Sequence, residues 1–137
     1  MKILGLDGKE HKWTLESAKR EDNTRSKLHL RARDVIKSIF TYDKIYEEVT
    51  LPGSRKSTRL SLLYADFYLP LRKLIVEVNG SQHDNYTHFF HKDKLAFFKA
   101  KARDIDKKNW CDLNNITIVY LNHDETDEQW GEKINAR

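Results

Sequence analysis

Residues 64–84 read YADFYLPLRKLIVEVNGSQHD, and the way this stretch pairs with itself decides the fold. Two runs suited to strands, 60–69 and 74–78, flank PLRK at 70–73, and proline opening a four-residue connection is a turn signal. The second run, LIVEV, is the most apolar in the chain, which predicts a central strand buried on both faces. Glu77 sits inside that run, and Asp66 sits on the other arm, eleven positions earlier. With Leu71 and Arg72 at the turn, the two carboxylates come opposite one another on one sheet face. A buried carboxylate is costly unless it is paired, and a second carboxylate is the wrong partner unless a cation lies between them.

Working outward, residues 42–51 alternate and predict a first strand carrying Glu47 and Glu48 side by side. Neighbouring strand residues point to opposite faces, so only one of the two can share a face with Asp66. A basic loop, PGSRKST at 52–58, follows. Before the strand, residues 26–40 place Leu28, Ala32, Val35, Ile36 and Ile39 at three- and four-residue steps, an amphipathic helix with Asn23, Thr24 and Ser26 as candidate N-caps. After the hairpin comes a loop at 80–91 holding three of the six histidines. A long helix over 92–113 is then expected, with Leu95, Phe98, Ala102 and Ile105 on its buried face and Asn114-Asn115 ending it. Residues 116–121, ITIVYL, predict another buried strand, and the helix-to-strand order predicts that it runs parallel to a central neighbour. A last short helix over 126–137 would anchor through Trp130. At the other end, MKILGLDGKEHKW predicts a two-stranded ribbon turning at Asp7-Gly8, and 14–22 is either a short helix or a linker. The expected fold class is α/β, one domain of 137 residues with a mixed central sheet flanked by helices: ribbon and linker at 1–22, core at 23–125, tail at 126–137.

Composition limits the function classes. Charged residues make up 34% of the chain and the net charge is +4, with a pI near 9.1. There is no transmembrane run, signal peptide or lipidation motif, which predicts a cytoplasmic protein away from membranes. The single cysteine, Cys111, has no partner for an internal disulfide. Cations bunch at Lys19, Arg20, Arg25, Lys27, Arg31 and Arg33, and again at Arg55, Lys56 and Arg59, which suits a polyanion as well as a solvated face. Lys27, Arg31, Arg55, Lys56, Arg59 and His91 are the candidate nucleic-acid contacts.

The paired acids carry the chemistry. Alone, either acid reads as salt-bridged or exposed at an edge. Together they repel and raise each other's pKa unless a divalent cation neutralises them. Oxygen ligands of this kind suit Mg²⁺ or Mn²⁺. Such a metal activates water and neutralises a phosphodiester during in-line attack.

Here the chain resembles the PD-(D/E)XK nuclease superfamily, through Asp66 in YADF, Glu77 in IVEVNG, and the helix and strand that follow. Within it, the chain is most similar to Vsr-type mismatch nicking enzymes and phage-associated EDxHD homing endonucleases. The resemblance covers 23–121 and is specific over 66–84. It implies a restriction-endonuclease-like core, a Mg²⁺-dependent DNA endonuclease or nickase with DNA as its partner, Asp66 and Glu77 as metal ligands, and His83 as the base or water-orienting group supported by Asp84. Ala65 replaces the motif's proline, and Asn79 stands where the superfamily often has lysine, so His83 is the expected substitute. The family's early glutamate is missing from the first helix, which leaves Glu48, then Glu47, to complete the acidic cluster. Arg103, Asp104 and Lys107 would face the scissile phosphate as in related enzymes, or form a solvated helix face. By the same resemblance, His88 and His91 with His83 and Cys111 could hold a structural zinc, as in Vsr-type enzymes, but their spacing fits zinc patterns poorly. A long recognition site would need a second copy, a fused domain or an associated specificity factor. The rival expectation is a non-catalytic nucleic-acid-binding module that keeps the fold.

Overall fold

A computed structural model describes residues 1–80 and 94–137. The expected α/β architecture is present: the described residues form a four-stranded mixed sheet, a two-stranded ribbon and three α-helices. The ribbon pairs β1 (Lys2–Leu4) with β2 (Glu10–Lys12). The main sheet has the order β3-β4-β5-β6, from β3 (Tyr46–Thr50), β4 (Tyr64–Leu69), β5 (Leu74–Asn79) and β6 (Thr117–Asn122). Strands β3, β4 and β5 form an antiparallel meander, and β6 lies parallel to β5, as the crossover through the long helix predicts. Helix α1 (Lys27–Ile39) precedes the meander, α2 (Lys94–Leu113) precedes β6, and α3 (Asp127–Asn135) closes the chain.

Local sequence sets these boundaries. Ser26 caps α1, its hydroxyl accepting from the His29 N–H at 3.0 Å. The β4–β5 connection is a 3₁₀ turn at Pro70–Arg72, closed by Lys73 at φ 47°. Asn115, at φ 55°, ends α2, and Thr126 opens α3 with a reciprocal capping box to Gln129. Residues 60–63, expected within the second strand, instead wrap Ser54. The buried Ser54 hydroxyl accepts the Leu63 N–H at 2.8 Å and donates to Leu51 O at 2.6 Å. Residues 14–21 form no helix or strand and run along the outer edge of β3, where Ala18 N–H donates to Glu47 O at 3.0 Å.

The core lies on both faces of the sheet. On one, Ala32, Val35 and Ile36 of α1 meet Phe67, Leu69, Leu74 and Val76, with Trp130 and Ile134 of α3. On the other, Trp13 stacks on Tyr68 at 4.6 Å and meets Trp110 edge-on at 5.2 Å. The ribbon is thus part of this second core layer, through Ile3 and Trp13. It approaches the sheet closely at Gly53, φ 70°, where a Cβ would fall 2.6 Å from Gly5 Cα.

Helix α2 departs from expectation. Leu95, Phe98 and Ile105, expected to be buried, are 65%, 52% and 61% exposed. The helix buries Asp106, Trp110 and Cys111 instead. Its C-terminal half is pinned where Trp110 Nε1–H donates to Pro52 O at 2.8 Å and where Asp106 meets Lys56 and Arg59, each at 3.1 Å. That rotation turns Ala100, Arg103 and Lys107 toward the sheet. No described helix is long and apolar enough to cross a membrane.

Trp130 is fully buried and donates its indole N–H to Asn122 O at 2.9 Å. Trp130→Ala should therefore cost about 3–5 kcal/mol in urea unfolding. Leu71→Ala, at a site 78% exposed, should change stability by less than about 0.5 kcal/mol. Equal effects would contradict this packing.

Candidate active site

The β4–β5 ladder pairs Phe67 with Val76, and the same register sets Asp66 directly opposite Glu77. At this row side chains take over from the backbone ladder. Glu77 Oε2 accepts the Asp66 N–H at 2.7 Å, and Asp66 Oδ2 accepts the Val78 N–H at 2.9 Å. Each acid therefore fixes the strand that carries the other, which gives both side chains a defined orientation.

Glu77 is 6% exposed, and its Oε1 pairs with the Lys107 ammonium of α2. Burial and then the Asp66 charge push the Glu77 carboxyl above the usual carboxylate range, against the pull of Lys107. Asp66 is raised as well, first by burial, with the Val78 N–H, Lys107 and His29 opposing and Glu48 adding to the shift. Burial alone would lower Lys107, but Glu77 and Asp66 outweigh it and hold the ammonium above the ordinary lysine value. One cation thus faces two carboxylates in a partly desolvated place.

These groups form the floor of a cleft of about 530 Å³. Helix α2 supplies one wall with Ala100, Arg103 and Asp104, and the 61–64 segment supplies the other. Asn79 lines the cleft and donates its amide to Asn122 Oδ1 at 3.3 Å. The cation at the cleft floor is Lys107, thirty positions from Glu77 in sequence.

Glu48 lies in the same row, opposite Asp66, between the Glu47–Phe67 and Val49–Ala65 pairs. Its φ of 52° is left-handed, rare for a non-glycine residue and a local cost to the chain. Arg20 holds both of its oxygens at 3.0 Å, and the Arg25 Nε, buried without a hydrogen-bond partner, lies 3.5 Å from Oε1. Glu47 turns to α1, meeting His29 Nε2 at 2.8 Å and Arg33 Nε at 3.0 Å. The Glu48 charge reaches Asp66.

The remaining candidates are spread over the surface. Lys56 and Arg59 both pair with the buried Asp106 beside the cleft. Arg55 is exposed and donates to Leu60 O at 2.8 Å. Lys27 is exposed at the start of α1. Arg31 bonds Asp127 at 2.6 Å and covers the Trp130 ring at 3.7 Å, at the α1–α3 junction. His83, Asp84, His88 and His91 lie outside the described residues. Cys111 is buried in the second core layer, where burial pushes its thiol up to about 12.

Asp66 and Glu77 offer two carboxylates with too little counter-charge, a donor set that fits a hard divalent cation with water completing its shell. Among the described residues, no group of three His, Cys, Asp or Glu side chains is arranged to hold a metal. Glu48, the nearest third acid, is tied to its arginines.

The sign of the pH dependence follows from the raised acids. Between the unfolded and folded carboxyl pKa values the folded state holds more protons, so deprotonating the pair costs stability as pH rises. Lys107 offsets that cost. Lys107→Met should lose stability at pH 8, by up to about 3–5 kcal/mol, and less at pH 5.5, where the Glu77 carboxyl, pushed up to about 7, takes up a proton. Urea unfolding at both pH values checks this, and a gap as large at pH 5.5 would contradict it.

No family model matches the chain, and no solved structure matches it. It is similar to "Uncharacterized protein 307L" of Invertebrate iridescent virus 6, 44% identical over 57 residues, and to "Uncharacterized protein 033L" of Invertebrate iridescent virus 3, 35% identical over 57 residues. Each match spans 42% of this chain and 29% of the viral protein, so the chain covers less than a third of either relative's length.

Proposed function

We propose that this protein is a Mg²⁺- or Mn²⁺-dependent DNA endonuclease or nicking enzyme, with a restriction-endonuclease-like core of the PD-(D/E)XK type similar to Vsr-type and EDxHD enzymes. The observation that carries the reading is Asp66 facing Glu77 on adjacent strands at the floor of a cleft, with the Lys107 ammonium on Glu77. Hydrolysis forms a bond from a water oxygen to phosphorus, breaks the opposite phosphorus–oxygen ester bond, and passes a proton to the leaving oxygen.

Asp66 and Glu77 would hold the metal, which when bound lowers the pKa of water and neutralises charge on the phosphodiester. The backbone N–H groups of Asp66 and Val78 fix the two carboxylates before any ligand arrives. Lys107 contributes a positive charge at the floor, placed to stabilise developing charge on the phosphoryl group. His83 as base or water-orienting group, with Asp84 behind it, belongs to the proposal through the family resemblance.

A second reading, a nucleic-acid-binding module without turnover, draws support from one observation. The chain supplies its own counter-charges, Lys107 to Glu77 and Arg20 with Arg25 to Glu48. That module would bind DNA in a salt-dependent way in any metal and cleave nothing.

A supercoiled-plasmid assay separates the two. The nuclease reading predicts nicking with Mg²⁺ or Mn²⁺, none in chelator, and a loss of at least about 100-fold in Asp66→Ala. Undiminished activity in Asp66→Ala would overturn the site, and binding without cleavage in either metal would favour the module.

A further inference from the structure

The cleft over Asp66 and Glu77 continues past Arg103. A second cavity of about 380 Å³ adjoins it, shares Ser61 and Arg103, and is lined further by Arg59 and Lys99. Lys99, Arg103 and Lys107 recur every four residues along α2, roughly 6 Å apart along its axis. They form one row of cations that starts at the acids and runs outward. Lys107 is committed to Glu77, and Arg59 to Asp106. Lys99 and Arg103 have no ion-pair partner among the described residues and line the adjoining cavity.

Facing this row is Tyr64, two residues before Asp66 on β4. It is 56% exposed, its ring lies 5.8 Å from Lys107 Nζ, and its hydroxyl makes no hydrogen bond among the described residues. An exposed aromatic face beside a row of cations is how proteins hold a strand whose bases are not already stacked in a duplex. Glu77 is 6% exposed at the bottom of a trough with α2 on one side and the 61–64 segment on the other.

Resting on the proposed nuclease reading, we infer that the cleft takes an unpaired DNA strand, a single strand or the splayed part of a duplex. One phosphate lies over Asp66 and Glu77, the next phosphates run along Arg103 and Lys99, and a base stacks on Tyr64.

The test is fluorescence-anisotropy binding of labelled dT₁₂, against a hairpin duplex with a twelve-base-pair stem, to the full chain in chelator. Because no cleavage is involved, the result stands whether or not the protein is a nuclease, and failure of plasmid nicking would strike only the proposed function. The inference expects dT₁₂ to bind at least about tenfold tighter than the duplex, and Tyr64→Ala to weaken dT₁₂ binding roughly 5- to 150-fold while Tyr64→Phe retains it. Arg103→Ala and Lys99→Ala should each lower the slope of log affinity against log salt by about one. Thermal melting of each variant at the wild-type temperature shows that the fold is kept. Equal or tighter duplex binding, or dT₁₂ binding unchanged in Tyr64→Ala, would overturn it.

Discussion

The contact between Lys107 and Glu77 joins the two halves of this structure. Glu77 lies in the most buried strand of the sheet, and its charge there is tolerable because α2 delivers an ammonium to it. The same contact sets the rotation of α2, together with Trp110 on Pro52 and Asp106 between Lys56 and Arg59. It also determines what lines the cleft: with Lys107 on the sheet, Arg103 and Ala100 one and two turns earlier face the opening, and Leu95 and Ile105 face outward. Fold and candidate chemistry therefore depend on one ion pair, and the acid across from it remains only partly compensated.

The distribution of arginines shows how a basic chain divides its charge between structure and surface. Arg20, Arg25 and Arg33 are engaged with Asp22, Glu47 and Glu48 in a network that binds the 14–25 segment to β3 and α1. There Asp22 is held well below the usual carboxylate range by Arg33 and Arg25. Arg31 and Arg59 are likewise engaged, at Asp127 and Asp106. A positive net charge thus overstates what is available to a polyanion, and the cations beside the cleft without an ion-pair partner among the described residues, Lys99 and Arg103, come from α2, where the sequence reads them as an ordinary solvated helix face.

Much of the frame was legible in the sequence because it rests on local signals. Pro70 and the alternation around it fixed the hairpin, and the hairpin register placed Asp66 opposite Glu77. The spacing of Ala32, Val35 and Ile36 fixed the buried face of α1, and Asn114-Asn115 fixed the end of α2. What was not legible depends on contacts between distant residues. The regular spacing of Leu95, Phe98, Ala102 and Ile105 predicted a buried stripe, but the helix orientation is set by Trp110, Asp106 and Lys107, which meet partners thirty to fifty-eight positions away. Glu48 in a left-handed conformation, clamped by Arg20, has no local signature at all. Lys107, the partner of Glu77, was visible only as one cation among several on α2.

We propose that Asp66 and Glu77 form a divalent-cation site whose pull outweighs the Lys107 counter-charge. Isothermal titration of Mn²⁺ into the metal-free full chain at pH 8 tests this most directly. The account predicts one saturable site per chain, weakened by at least about tenfold in Glu77→Gln and lost in Asp66→Asn. Absence of binding, or a site unchanged in both variants, would contradict it.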